Sequence, residues 1–221
     1  MQNISHAVMA QRTEPKDSRD DFPTPPWATR ALMEHVLEGT NTLAQMSCLE
    51  PACGAGHMAK VLKEYFGKVH CSDAYDYGFV QVRDFLTFPY EINTADWIIT
   101  NPPFRLAEEF VLRALAIARR GVAILARTVF LESVGRYDDI FRHRPPTKFA
   151  QFVERVPMVK GRLDRKATTA TGYAWFVWEK NVAGAPRLTW IPPCRKQLER
   201  PGDYDLPGFA GPLGSRGISQ C

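Results

Sequence analysis

The chain has 221 residues, 45% of them hydrophobic and 24% charged, with a formal net charge of +4. That length suits one domain with a sizeable core, and the composition is that of a soluble globular protein. No apolar run approaches the about 20 residues that span a bilayer, and the polar start contains no secretory signal, so a cytoplasmic protein is expected. Five cysteines without a CxxC pair argue against a disulfide framework and against a metal site.

The first part of the chain predicts a tail, a helix and a ligand-binding turn. Residues 1–21 are polar and aperiodic and are expected to form a disordered tail. Residues 28–37 show a helical pattern, with Thr24 as the candidate N-cap. A strand over 47–50 then leads into a glycine turn and a helical pattern over 57–66, the order of a mononucleotide-binding crossover. Glu50 ends that strand and would repel a pyrophosphate, so the turn suits a ligand with positive charge and hydroxyls.

Two more predicted strands end in acidic residues. The strand over 68–73 ends at Asp73, about 20 residues past the glycines, a position suited to holding ribose hydroxyls. The alternating stretch over 79–86 predicts a third strand that finishes with Asp84 and Phe85. A carboxylate beside an aromatic ring can accept a hydrogen bond from an adenine amino group while the ring packs on the base.

The stretch over 96–104 is the most specific feature of the sequence. An acid at 96 leads into an apolar run over 97–99, which predicts a strand buried on both faces, and two prolines stop it because neither can donate a ladder hydrogen bond. Asn101 and Phe104 therefore lie at the carboxyl end of a central strand, where open α/β sheets bind ligands.

Together these motifs resemble those of the class I S-adenosylmethionine-dependent methyltransferases that methylate amino groups. Residues 50–56 resemble the first cofactor motif, Asp73 the second, Asp84-Phe85 the third, and 101–104 the catalytic motif. Residues 22–27 are similar to the extra segment that precedes the first motif in adenine-N6 DNA methyltransferases. The likeness covers roughly 22–180 and is closest to small stand-alone enzymes of phages and prophages.

The resemblance implies a fold, a domain division and a cofactor. The fold is α/β: a doubly wound, mostly parallel, seven-stranded sheet with an antiparallel last strand, Rossmann-like, in one domain over 22–183. The cofactor is S-adenosylmethionine, and the residues expected to bind it are Thr24, Pro25, Glu50, Pro51, Ala52, Gly54, Gly56, Asp73, Asp84, Phe85 and Asn101.

The later elements are assigned on the same basis. A helix over 106–118 is expected to be closed by Gly121, and strands are expected over 122–126, 151–156 and 173–178, the last contributing aromatic side chains to the core. Residues 184–221 contain six prolines and six glycines and are interpreted as an irregular tail.

The implied chemistry is direct methyl transfer to the N6 amino group of adenine in DNA. The Asn101 side-chain oxygen and the Pro102 carbonyl each accept an amino hydrogen, Pro102 and Pro103 keep both acceptors rigid, and Phe104 stacks on a base that has left the duplex. Residues 127–166 carry a net charge of +5, and the basic segment over 127–171 is expected to grip DNA phosphates. Its candidate contacts are Arg127, Arg136, Lys160, Arg162, Arg165 and Lys166.

Alternatives to this function stay open at the level of sequence. Asparagine favours adenine N6 over cytosine N4 without deciding between them. Motifs of this kind also serve methyl transfer to RNA bases and to glutamine in proteins. A third interpretation is a non-catalytic DNA-binding protein with a vestigial cofactor site. The sequence does not give the oligomeric state, and a monomer is one candidate.

Overall fold

The computed structural model describes residues 20–37, 40–78 and 80–204, which form one eight-stranded sheet with helices on both faces. The strands are β1 (Ser47–Glu50), β2 (Lys68–Asp73), β3 (Gln81–Val82), β4 (Ala95–Thr100), β5 (Ala118–Arg127), β6 (Lys148–Phe152), β7 (Tyr173–Glu179) and β8 (Arg187–Ile191). The α-helices are α1 (Pro26–His35), α2 (Thr40–Leu43), α3 (His57–Leu62), α4 (Ala107–Ile117), α5 (Val134–Arg136) and α6 (Arg195–Leu198). Shorter turns of helix cover Phe104–Leu106, Thr128–Leu131 and Tyr137–Phe141.

The strand order is β3-β2-β1-β4-β5-β7-β6-β8. β7 pairs antiparallel with both of its neighbours, and the other pairs in the described sheet are parallel. The expected fold class is therefore confirmed, including the antiparallel strand. The sheet has one strand more than expected, because β8 extends the β6 edge.

The sheet separates two hydrophobic cores, because successive side chains of a strand point to opposite faces. On one face, Trp97 and Ile99 pack with α1 and α3, and the buried Trp175 indole N–H donates to the Ala28 carbonyl at 3.1 Å. On the other face, Ile98 packs with α4 residues such as Phe110. The aromatic run of β7 contributes to both cores, as predicted.

Several predicted boundaries differ from the structure. The N-cap of α1 is Pro25, and Thr24 does not cap the helix; a proline in the first turn is present as expected. The predicted third strand shrinks to two exposed residues, so Asp84 and Phe85 lie in the loop after it. The sixth strand begins three residues early, at Lys148, because Lys148 is buried with its ammonium bonded to the Val36 carbonyl and to Glu179.

Gly121 does not have the role predicted for it. It does not close α4; β5 begins directly at Ala118, and Gly121 lies inside that strand. The Trp97 ring covers Gly121 so closely that an added Cβ would be 2.5 Å from ring carbons. The glycine is therefore required by packing and not by helix termination.

Parts of both predicted tails belong to the described fold. Residues 187–198, expected to be irregular, form β8 and α6, while 205–221 lie outside the described residues. Most of the predicted tail, 1–19, also lies outside them, but Asp20 and Asp21 are described and belong to the site below. The domain division at 22–183 stays a prediction. None of the helices in the described ranges is long and apolar enough to cross a membrane.

Candidate active site

A cavity of about 430 Å³ opens at the carboxyl ends of β1, β2 and β4. Such a volume is in the range of small-molecule and cofactor sites. Nine of the expected cofactor residues line it: Thr24, Glu50, Pro51, Ala52, Gly54, Asp73, Asp84, Phe85 and Asn101. Pro25 and Gly56 do not line it; Pro25 precedes α1 and Gly56 precedes α3.

The turn between β1 and α3 forms the floor of the cavity. Gly54 and Gly56 have φ values of 50° and 81°, in the left-handed region that favours glycine. The Gly54 N–H donates to one Asp73 oxygen at 2.8 Å, and the Tyr75 N–H donates to the other at 2.9 Å. The Asp73 carboxylate thus ties the turn to the end of β2.

Within the described ranges, four buried polar atoms of cavity-lining residues have no hydrogen-bond partner: Thr24 Oγ1, Glu50 Oε2, His57 Nδ1 and Asn101 Oδ1. Buried polar atoms in proteins are nearly always paired, so a group of unpaired ones around a cavity indicates a ligand. Three of these residues were expected from the sequence. His57 was missed; the available signal was a polar residue at the start of a helix directly after the glycine turn.

The cavity is acidic. Carboxylates of Asp20, Asp21, Glu50, Asp73 and Asp84 line it. Glu50 is 2% exposed, and burial raises the pKa of its carboxyl well above the usual range, with the Cys71 thiol and the Asp73 carboxylate adding to the shift. The Ala59 N–H donates to Glu50 and opposes the shift in part. A cationic ligand would restore the charged form of Glu50, since an opposite charge favours ionisation.

The segment that precedes α1 holds residues 101–104, the expected catalytic motif. The Asn101 Nδ2 donates to the Phe22 carbonyl at 2.9 Å and to the Met158 sulfur at 3.7 Å, which leaves Oδ1 as the unpaired end of the amide. The Phe104 N–H donates to the Asp20 carboxylate at 2.6 Å. Asn101 and Pro103 line the cavity. Pro102 is buried, and Phe104 is half-buried without lining the cavity.

The Phe104 ring lies among aromatic and cationic side chains. Its centroid lies 5.1 Å from that of Phe22 and 6.3 Å from that of Tyr173, and the Arg127 guanidinium lies 5.0 Å from it. Sequence analysis missed Asp20, Asp21, Phe22 and Met158. The signal for Asp20 and Asp21 was weak, because they end a polar stretch, whereas Phe22 lies in the 22–27 segment but was assigned no role of its own.

The basic segment is divided between two roles. Arg136 donates to the Phe130 and Glu132 carbonyls at 2.8 and 2.6 Å, so it holds its own loop together. Arg127, Lys160, Arg162, Arg165 and Lys166 are exposed. Arg162 pairs with Asp164 at 3.4 Å and Arg165 with Glu199 at 3.3 Å, contacts that are weak at a solvated surface.

Comparisons with known proteins give the fold. No protein-family model matches the sequence, and no curated protein matches it. Among solved structures, a modification subunit of a putative type I restriction enzyme from Vibrio vulnificus matches with a TM-score of 0.57 and 14% identity, over 84% of this chain and 51% of that one. A putative class I S-adenosylmethionine-dependent methyltransferase from Listeria monocytogenes matches with a TM-score of 0.54 and 13% identity, over 79% and 67%. The chain has the class I methyltransferase fold.

A third match is a putative RNA methyltransferase from Pyrococcus horikoshii, with a TM-score of 0.57 and 16% identity, over 77% of this chain and 92% of that one. The chain spans about half the length of the Vibrio subunit. In the class I methyltransferase fold described here, the cavity lies at the carboxyl ends of the central parallel strands, the position where open α/β sheets bind ligands.

Proposed function

We propose that this protein transfers a methyl group from S-adenosylmethionine to the N6 amino group of adenine in DNA. The observation that carries the proposal is the Asn101 amide, which follows β4 at the edge of an acidic cavity. Its nitrogen donates to the Phe22 carbonyl, so its buried, unpaired oxygen is the atom left to accept a hydrogen bond from a methyl acceptor. A buried, oriented oxygen of this kind accepts a hydrogen from an amine and does not donate one.

The residues present fit S-adenosylmethionine. Glu50 Oε2 and Thr24 Oγ1 are unpaired and buried, so they would hold the ammonium and carboxylate of the methionyl end. Asp73 would hold the ribose hydroxyls, while Asp84 and Phe85 would hold the adenine. The Gly54 N–H already donates to Asp73, and a floor bonded in this way does not present a phosphate site. When bound, the cofactor supplies an electrophilic methyl group on a cationic sulfur.

The chain's own residues would act mainly by positioning. Asn101 Oδ1 and the Pro102 carbonyl accept the two amino hydrogens, which favours a pyramidal nitrogen whose lone pair faces the methyl group. The two prolines keep these acceptors fixed. The acidic lining stabilises positive charge that passes to the acceptor nitrogen, and that nitrogen becomes neutral again by releasing one of its protons to water. No covalent enzyme intermediate is needed.

The acceptor class is inferred from the surface around the site. Exposed cations at Arg127 and over 160–166 lie near the candidate site. The Arg127 guanidinium lies over the Phe104 ring, and the Gly161 N–H donates at 2.8 Å to the carbonyl of Asp21, which lines the cavity. Polyanions bind such surfaces. RNA is the second candidate acceptor, favoured by the match to a putative RNA methyltransferase.

Labelled S-adenosylmethionine tests the proposal with DNA, RNA and protein offered separately. We expect label in DNA as N6-methyladenine, and its loss in Asn101→Ala with cofactor binding kept. Asn93→Gly is the control, because Asn93 is exposed with a φ of 63° that glycine adopts freely. Label in RNA or in protein glutamine would replace the DNA assignment. Cofactor binding without transfer to any acceptor would favour a vestigial site.

A further inference from the structure

Phe22 lies against the catalytic motif although it belongs to a segment far from it in sequence. Its ring and the Phe104 ring have centroids 5.1 Å apart and planes inclined at 33°. Both side chains are half-buried, and Phe22 lines the cavity. The two rings thus form a wedge and not a parallel stack.

The backbone beside this wedge is anchored at three points. The Phe22 carbonyl accepts from Asn101, the Asp20 carboxylate accepts from the Phe104 N–H, and the Asp21 carbonyl accepts from the Gly161 N–H. The Phe22 ring has no comparable polar tether. Movement at this place is therefore expected of the ring, by rotation of its side chain, before the backbone moves.

Something must move for the reaction to occur. Asn101 Oδ1 is buried without a partner, so an acceptor amine cannot reach it in the described arrangement. The Phe22 residue and the Met158 side chain are the groups bonded to the same amide. Rotation of the Phe22 ring away from Phe104 would open the space between the two rings while the hydrogen bond from Asn101 to the Phe22 carbonyl is kept.

We propose that Phe22 is the second aromatic wall of the acceptor site, so that a planar nucleobase with an exocyclic amine lies between Phe22 and Phe104. Two contacts of about 3.5 Å place the rings about 7 Å apart, which requires an opening of about 2 Å from the present separation. The inference rests on the proposed methyl transfer for its acceptor. It adds the requirement that the acceptor be a flat ring with two faces, which a glutamine side chain is not.

The competing explanation is that Phe22 and Phe104 are only a packing pair that holds the segment in place. The two explanations predict that different side chains can replace Phe22 without loss of activity. Packing tolerates an aliphatic side chain of similar size, whereas stacking on a base requires an aromatic ring. Stability measurements alone do not separate them, but acceptor kinetics do.

The test compares Phe22→Leu and Phe22→Tyr with Phe88→Leu. Phe88 is a matched control, since it is half-buried, contacts the Tyr90 ring at 4.8 Å and does not line the cavity. At saturating cofactor, Phe22→Leu is expected to lower kcat/KM for the acceptor about 5- to 150-fold, the effect of losing one base-stacking ring. Phe22→Tyr is expected to stay within about three-fold of wild type. Cofactor affinity and urea unfolding are measured for each variant.

The outcomes separate this inference from the proposed function. Label in DNA with Phe22→Leu within about two-fold of wild type, or with Phe22→Tyr as impaired as Phe22→Leu, overturns the role of Phe22 alone. If the wild type labels RNA and Phe22→Leu does not, the role of Phe22 is supported and DNA is overturned as the acceptor. Label in glutamine, or in no acceptor, overturns both.

Discussion

Replacing Glu50 by glutamine should affect stability and cofactor binding in opposite directions. The carboxyl is 2% exposed, one of its oxygens has no partner, and its pKa is raised by burial. In the ligand-free protein glutamine imitates the protonated acid, so the folded state loses nothing. In the complex it removes the anion that would face the ammonium of S-adenosylmethionine.

The sign of the stability effect follows from proton linkage. The unfolded chain ionises Glu50 above a pKa of about 4.3, whereas the folded protein keeps it protonated up to its raised pKa. Across that window the unfolded state binds fewer protons, so the stability of the wild type falls as pH rises. Glu50→Gln avoids this loss, about 1.4 kcal/mol for each pH unit of the window. Near neutral pH its Tm should exceed that of the wild type by about 2–4 °C for each kcal/mol.

The binding effect has the opposite sign. A hydrogen bond to a charged group contributes about 1.5–3 kcal/mol, so Glu50→Gln should raise the Kd for S-adenosylmethionine about 10- to 150-fold. Calorimetry in buffers of different ionisation enthalpy should also detect a proton released by the wild type on binding and not by the variant. Glu91→Gln, at an exposed site outside the cavity, is the control. A variant that binds within about two-fold of wild type, or melts lower than it, would refute the argument.

Two further predictions concern packing and the basic surface. Gly121→Ala forces a Cβ to within 2.5 Å of the Trp97 ring and should lower the free energy of unfolding by about 1–3 kcal/mol. The control is Gly135→Ala, whose added Cβ would have its nearest contact at 3.7 Å and should change the Tm little. Equal melting temperatures of the two variants would contradict the packing role of Gly121. Arg162→Glu should weaken DNA binding and lower the slope of log K against log salt by about 1 or more, whereas Lys196→Glu, outside the basic segment, should not; an unchanged slope for Arg162→Glu would remove it from the DNA interface.

The elements predicted correctly are those that packing alone determines. β4 and β7 are buried over almost their whole length, so a run of apolar residues identifies them without further information. The acids at the ends of β1 and β2 were predicted because strand ends in parallel sheets meet at one edge. Asn101 was predicted for the same reason.

What the sequence concealed depends on contacts between distant residues. A lysine predicts a surface position, but the Lys148 ammonium pairs with Glu179 and its side chain is buried. The start of β6 could therefore not be predicted from the sequence. A glycine after a helical pattern predicts a helix end, and the packing of the Trp97 ring on Gly121 cannot be read from the sequence. Asp20 acquires its role from the Phe104 N–H, 84 positions away in the chain, and no local pattern encodes such a contact.

The eighth strand changes which part of the sheet is open to other molecules. Within the described residues nothing pairs with the outer side of β8, and its Leu188 and Trp190 side chains are 57% and 62% exposed. Unprotected strand edges with large apolar side chains favour self-association. We therefore expect concentrated samples, and destabilised variants above all, to aggregate through this edge, and Trp190→Lys to be the first substitution to make when a preparation precipitates.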